Sequence, residues 1–161
     1  MKTKILTGLA VLIVGLLGWT IHHAASAGRT PAAKAYNESA DGARQVEAAV
    51  QEAQSGNKRV LIQFGANWCA WCLRLHGLCS SDRSLRQELD GHYSVVLIDV
   101  SNGHNRDILA KFAPRGSALG LPFLAVLDAE GALLRSQSPA EFVEGGGYNA
   151  GRMLAFLKSN R

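Results

Sequence analysis

Cysteine is scarce in this sequence: Cys69, Cys72 and Cys79 are the three thiols of a 161-residue chain. Three thiols cannot staple a disulfide-built miniprotein. Two close together with one left over point to chemistry rather than scaffolding. Methionine is rarer still, with two residues including Met1, so soft ligands for a copper ion are few. No run of Lys or Arg occurs and the positive residues are scattered among acids, which gives a nucleic-acid role no support. Internal repeats are absent. The 47% hydrophobic and 19% charged fractions argue against wholesale disorder. The length suits one domain with a real core and is tight for two.

Charge is missing from one long stretch. Lys2 and Lys4 form a short basic start, Ile5 to Ile21 follow without a charge, and Ala25-Ser26-Ala27 closes the segment with small residues. This is the pattern of an export signal with a peptidase site, so residues 1–27 are expected to be a signal peptide cleaved after Ala27, or an uncleaved N-terminal anchor. Both place the domain outside the cytoplasm, in the periplasm or an equivalent compartment, with membrane contact only through this segment if it is retained. The leader holds two lysines and no acids, so its removal lowers the net charge from +4 to about +2. Gly28 to Ala40 is small, polar and weakly patterned, and reads as a flexible linker before a domain over 41–161.

Within that domain, Val46, Ala49, Val50 and Ala53 recur at helical spacing between Asp41, an expected cap, and Gly56, an expected stop. Val60 to Phe64 and Val95 to Ile98 are short apolar runs of the kind that form buried strands. A helix opening near Cys69 is expected to kink or end at Gly77 and to resume after Asp82 with Leu85 and Leu89 inward. Arg106 to Phe112 suits a short helix. Phe123–Leu127 and Ala132–Ser136 flank a turn at Asp128–Gly131 and read as a hairpin. Gly145-Gly146-Gly147 reads as a flexible connection. Asn149 to Ser159 forms a last helix with Met153, Leu154, Phe156 and Leu157 inward. A crossover joining the first two strands makes them parallel, and the late hairpin adds antiparallel ones. The expected fold is α/β, a central mixed sheet with helices on both faces.

The chemistry is concentrated in Trp68-Cys69-Ala70-Trp71-Cys72, directly after a strand and at a helix start. Cysteines three apart on a helical turn are neighbours that modest adjustment brings to disulfide distance. The first turn of a helix offers unpaired N–H groups and the positive end of the dipole, which stabilise a thiolate at Cys69. Cys69 is therefore the expected attacking thiol and Cys72, one turn in, the shielded resolving thiol. Trp68 is expected to shield Cys69, and Trp71 to offer a partly exposed recognition surface.

Phe64-Gly65-Ala66-Asn67-Trp68-Cys69-Ala70-Trp71-Cys72, followed at a distance by Gly120-Leu121-Pro122-Phe123 opening the hairpin, resembles the thioredoxin superfamily over roughly residues 41–159. The resemblance implies a thioredoxin-like fold, a cis Pro122 facing the cysteine pair, and a Leu121 backbone that pairs with a bound peptide. It also implies protein thiols and disulfides as partners, with a membrane electron-transfer protein as a candidate redox partner. Two departures stand out. Thioredoxins proper carry a buried aspartate where this chain has Gln63, which cannot titrate. The dipeptide Ala70-Trp71 is neither Gly-Pro nor Gly-His, and leaves the direction of electron flow open.

The expected function is thus a thiol–disulfide oxidoreductase, with Cys69 and Cys72 catalytic, Trp68, Trp71, Leu121 and Pro122 binding the substrate, and no organic cofactor or metal. Competing readings are an inert structural disulfide, a zinc cluster adding His76 and Cys79, and a binding module of the same fold that carries copper or holds unfolded clients. Covalent haem fails because residue 73 is Leu rather than His. Cys79 is expected to be a buried small hydrophobe, and Asp99 a turn former.

Overall fold

A computed structural model describes residues 34–113 and 120–161. The leader at 1–27, and the linker as far as residue 33, lie outside the described residues. Helix α1 (Gly42–Gly56) starts where Asp41 Oδ1 accepts from the N–H groups of Ala43 and Arg44, at 2.9 and 3.2 Å. It ends on Asn57 in the left-handed region, whose N–H reaches back to the last turn. Strand β1 (Arg59–Gly65) leads to helix α2 (Ala70–Ser81), helix α3 (Arg83–His92) and strand β2 (Tyr93–Asp99). Helix α4 (Arg106–Phe112), strands β3 (Phe123–Leu127) and β4 (Leu133–Gln137), the two-residue strands β5 (Val143–Glu144) and β6 (Gly147–Tyr148), and helix α5 (Ala150–Ser159) complete the order.

The main sheet runs β2-β1-β3-β4. β1 pairs with β2 in parallel, from Arg59 opposite Tyr93 to Gly65 opposite Asp99, and with β3 antiparallel. β3 and β4 form the late hairpin, closed where Asp128 Oδ1 accepts from Ala132 N–H at 2.7 Å. Because side chains alternate across a strand, β1 and β3 feed two separate layers. Val60, Ile62, Phe64, Phe123, Ala125 and Leu127 pack with Ala49, Ala53 and Ile108 of α1 and α4. Leu61, Leu124 and Val126 pack on the other face with Leu75, Leu85, Leu89, Met153, Phe156 and Leu157 of α2, α3 and α5. Burying side chains of this size stabilises by about 1.5–3 kcal/mol each, so the two central strands anchor the domain. This is the α/β arrangement of a mixed sheet between helices that the sequence predicts.

Three expectations are corrected. α2 does not end at Gly77. It continues to Ser81 and stops at Asp82, whose carboxylate caps α3 by accepting from Ser84 and Leu85 at 2.9 and 3.0 Å. Gly77 faces open space, and its cost of about 1 kcal/mol relative to alanine is too small to end the helix there. The glycines at 145–147 are not a loose connection. Gly145 and Gly146, at φ 59° and 81°, make the tight turn between β5 and β6, with both centres in the left-handed region such a turn requires. Finally, the linker reading fails from Lys34 onward: the compact unit begins there, and Tyr36 is almost wholly buried at 1% exposure. Among the described residues, no helix is long and apolar enough to cross a membrane.

Candidate functional site

β1 delivers the chain to the site. Val100 N–H bonds to Gly65 O at 2.9 Å, and the turn Ala66-Asn67-Trp68 is closed by Cys69 N–H on Ala66 O at 3.1 Å. Cys69 then stands at the N-cap of α2 in an extended conformation (φ −83°, ψ 102°), where its Sγ accepts from Cys72 N–H at 3.2 Å. The caps of α1, α3 and α5 use oxygens of Asp41, Asp82 and Asn149. In α2 alone of these four a sulfur fills that role. A sulfur held there faces the unpaired N–H groups of the first turn, which favour negative charge on it. Cys69 and Cys72 are joined as a disulfide, S–S 2.13 Å, with Cα atoms 5.2 Å apart. Cys69 keeps 7% of its surface and Cys72 none, so any partner meets Cys69 first.

On the buried side, Tyr36 fills the space behind the pair, in a cluster with Ala66, Cys69 and Cys72. Its backbone is held by one side chain: Tyr36 N–H donates to Asn67 Oδ1 at 3.0 Å, and Asn67 Nδ2 donates to Tyr36 O at 2.9 Å. Gln63, 4% exposed, donates from Nε2 to the Tyr36 hydroxyl and to the Cys72 carbonyl, the latter at 3.1 Å. Gly65 makes the approach possible. A Cβ there would overlap the Tyr36 phenol and stand 2.9 Å from Cys72 Sγ. Burial raises the Tyr36 phenol far above its ordinary range, so it stays protonated.

On the open side, Pro122 is buried and the Leu121–Pro122 peptide bond is cis. Leu121 packs against the cluster that contains both cysteines. A groove of about 390 Å³ runs between Trp71, Leu121, Pro122, Val143 and Tyr148. Its far wall is the β5–β6 hairpin, which sets Tyr148 edge-on to Trp71 with ring centroids 5.3 Å apart. Arg74 lies over Trp71, 4.9 Å from the ring centre. Burial pushes the Tyr148 phenol up to about 12.

The structure therefore brings together Cys69, Cys72, Trp71, Leu121 and Pro122 of the predicted residues. Trp68 does not shield Cys69. It is 72% exposed and projects into solvent, while Tyr36 fills the space behind the pair. Cys79 is a free, half-buried thiol two turns further along α2, and burial pushes its pKa up to about 12. Asp99 is fully buried, and its Oδ1 accepts from the Ser101 N–H at 3.0 Å and from the Ser101 hydroxyl, a local turn. Among the described residues, no three His, Cys, Asp or Glu side chains converge as a metal site would require. Sequence reasoning missed Tyr36 and Tyr148. The available signal for Tyr36 was a lone aromatic in an otherwise small, polar stretch.

A sequence model described as thioredoxin-like matches residues 41–129. A curated relative, the thiol:disulfide interchange protein DsbD of Campylobacter jejuni (strain RM1221), is 34% identical over 58 residues, which are 36% of this chain and 10% of that protein. Among solved structures, a disulphide isomerase from Xylella fastidiosa Temecula1 superposes with a TM-score of 0.66 at 24% identity, covering 80% of this chain and 98% of that one. The C-terminal domain of DsbD from Neisseria meningitidis in its oxidised form gives 0.56 at 19% identity, over 76% and 97%. At these identities the two structures establish likeness of fold.

Proposed function

Because the chain belongs to the thioredoxin-like family, we propose that it is a thiol–disulfide oxidoreductase acting on cysteine-containing proteins outside the cytoplasm. The observation that carries this reading is the Cys69–Cys72 disulfide at the N-cap of α2, in which Cys69 keeps a small exposed fraction of 7% and Cys72 none. From the reduced state, the Cys69 thiolate attacks a partner disulfide. One Cys69–partner bond forms, and the partner's other sulfur leaves as a thiolate. Cys72, as thiolate, then attacks Cys69 Sγ, forms the intramolecular disulfide and expels the partner's first sulfur. Two electrons have passed from the cysteine pair to the partner. The reverse sequence oxidises a partner dithiol, and the potential of the pair relative to the partner sets the direction.

The two sulfurs are themselves the electron carrier, so the steps as written call for no organic cofactor or metal. In this reading, Trp71, Leu121 and Pro122 line the groove that receives the partner's segment, and Trp68 offers an exposed aromatic contact beside Cys69. Export is supported by the leader, whose stretch from Ile5 to Ile21 carries no charge behind Lys2 and Lys4. In this reading the candidate redox partner is a membrane electron-transfer protein. The test is partner trapping in the exporting cell. Cys72→Ser should accumulate mixed disulfides through Cys69, sensitive to dithiothreitol and absent when Cys69→Ser is added. Failure to trap any partner, with the variant folded and exported, would overturn the proposal.

A further inference from the structure

The buried group behind the resolving cysteine is a phenol delivered by the segment that precedes the first helix. Gln63 Nε2 donates to the Cys72 carbonyl, which can only accept, so that nitrogen is the amide NH₂. The same NH₂ also contacts the Tyr36 hydroxyl, which must accept there. The phenolic proton is thereby turned away from Gln63 and left for another acceptor. Cys72 Sγ is close at hand: it and the Tyr36 oxygen both crowd the point a Gly65 Cβ would occupy. In the disulfide the sulfur accepts poorly. Once Cys72 is a thiolate, it becomes a strong, charge-assisted acceptor.

We propose that the Tyr36 hydroxyl, oriented by Gln63, is the hydrogen-bond donor that stabilises the Cys72 thiolate when the pair is open. Tyr36 is thus a positioning residue in the resolving step. It takes no proton, since burial keeps it protonated, so it lowers the cost of ionising Cys72 without adding a titration of its own. The other titratable groups around this corner are Cys69 at the helix cap, Cys79 further along α2, Tyr148 on β6 and Asp99 at the end of β2. Asp99 is the only carboxyl group among them. One Asp99 oxygen is committed to Ser101, and the other has no hydrogen-bond partner among the described residues. It is the rival candidate for controlling Cys72.

This inference rests on the proposed exchange at Cys69–Cys72, but its test reads one thiol and needs no turnover. In the full chain carrying Cys69→Ser, Cys72 alkylation by iodoacetamide is followed against pH, and peptide masses separate it from Cys79. Adding Tyr36→Phe should raise the Cys72 midpoint by about 1–2 pH units. It should slow labelling at neutral pH about ten- to a hundredfold, the size expected for one hydrogen bond to a charged group. Gln63→Leu, which keeps the phenol but frees its orientation, should shift the midpoint the same way by less, and Asp99→Asn should leave it unmoved. An unchanged midpoint in Tyr36→Phe overturns the proposal. A shift seen with Tyr36→Leu but not Tyr36→Phe also overturns it, because the ring's bulk would then be responsible. So does a shift confined to Asp99→Asn, which would hand the role to the carboxyl group. Each outcome is read on the titration alone, so it stands apart from success or failure in trapping partners.

Discussion

The two sulfurs of one disulfide live in different surroundings. Cys69 caps a helix with 7% of its surface still open, next to an exposed Trp68, and Leu121, packed against the cysteine cluster, also lines the groove with Trp71 and Tyr148. Cys72, one turn deeper, meets no solvent and is backed by Tyr36, Gln63 and the bare backbone of Gly65. Attack on a foreign disulfide needs access and a stabilised thiolate, which a helix N-terminus supplies from backbone alone. Resolution needs protection from competing thiols, and then ionisation must be supported from within. The open side is built from side chains that can contact a partner. The closed side is built from hydrogen bonds that fix one geometry.

That contrast can be broken from either side, and the largest expected effect is on the sulfurs. Cys69→Ser should abolish disulfide exchange with protein partners, and Cys72→Ser should stop turnover while leaving the first attack intact. Quenched-flow release of the first partner thiol tells the two apart. Next in size is Gly65→Ala. A methyl group there collides with the Tyr36 phenol and the Cys72 sulfur, so urea unfolding should show a loss of about 1–3 kcal/mol, the usual cost of overpacking. Asn67→Ala removes both bonds to the Tyr36 backbone. At about 0.5–1.5 kcal/mol per bond, stability should fall by about 1–3 kcal/mol, and hydrogen exchange should show residues 34–40 released while α1 stays protected.

Smaller effects belong to the open side. Tyr148→Ala removes the edge-on partner of Trp71, a contact of about 0.5–1.5 kcal/mol. KM for protein partners should rise several-fold while the rate with dithiothreitol holds. The pH dependence of stability comes last. Burial raises Cys79 from 9.0 to about 12 and Tyr93 and Tyr148 from 10.0 to about 12. Between these values the unfolded chain has lost protons that the folded chain keeps, so stability is full below about pH 9 and falls as pH rises towards 12. Cys79→Ala should remove the earliest part of that decline in denaturant midpoints measured from pH 8 to 11.

The sequence made one half of this contrast legible and hid the other. Cys69 and Cys72 announce themselves through spacing and through their place at a helix start, while the roles of Leu121 and Pro122 come from the resemblance to the thioredoxin superfamily. The strands over 59–65 and 123–127 follow from apolar runs buried on both faces, and the edge strand over 93–99 from an apolar run although its Val95 is exposed. Tyr36 was invisible because a lone aromatic among small polar residues has no periodicity, and its partner Asn67 lies 31 positions away. Gln63 looked like a missing acid, whereas its two donors tie the Tyr36 phenol to the Cys72 backbone. Tyr148 was hidden by its glycines, which read as slack until their left-handed conformations are seen to form a turn. Gly77 misled in the opposite sense, since a helix ends where the next cap competes for the chain, and that cap is Asp82.

The measurement that reaches the central claim most directly is a redox titration of the Cys69–Cys72 pair in the purified chain. Glutathione buffers would set the potential, tryptophan fluorescence would report it through Trp68 and Trp71, and alkylation with peptide mapping would show which thiols respond. The account predicts one reversible two-electron transition within the range of known exchange proteins, about −270 to −120 mV, with Cys69 and Cys72 labelled together and Cys79 taking no part. A pair that stays oxidised throughout, or a transition that requires Cys79, would contradict it.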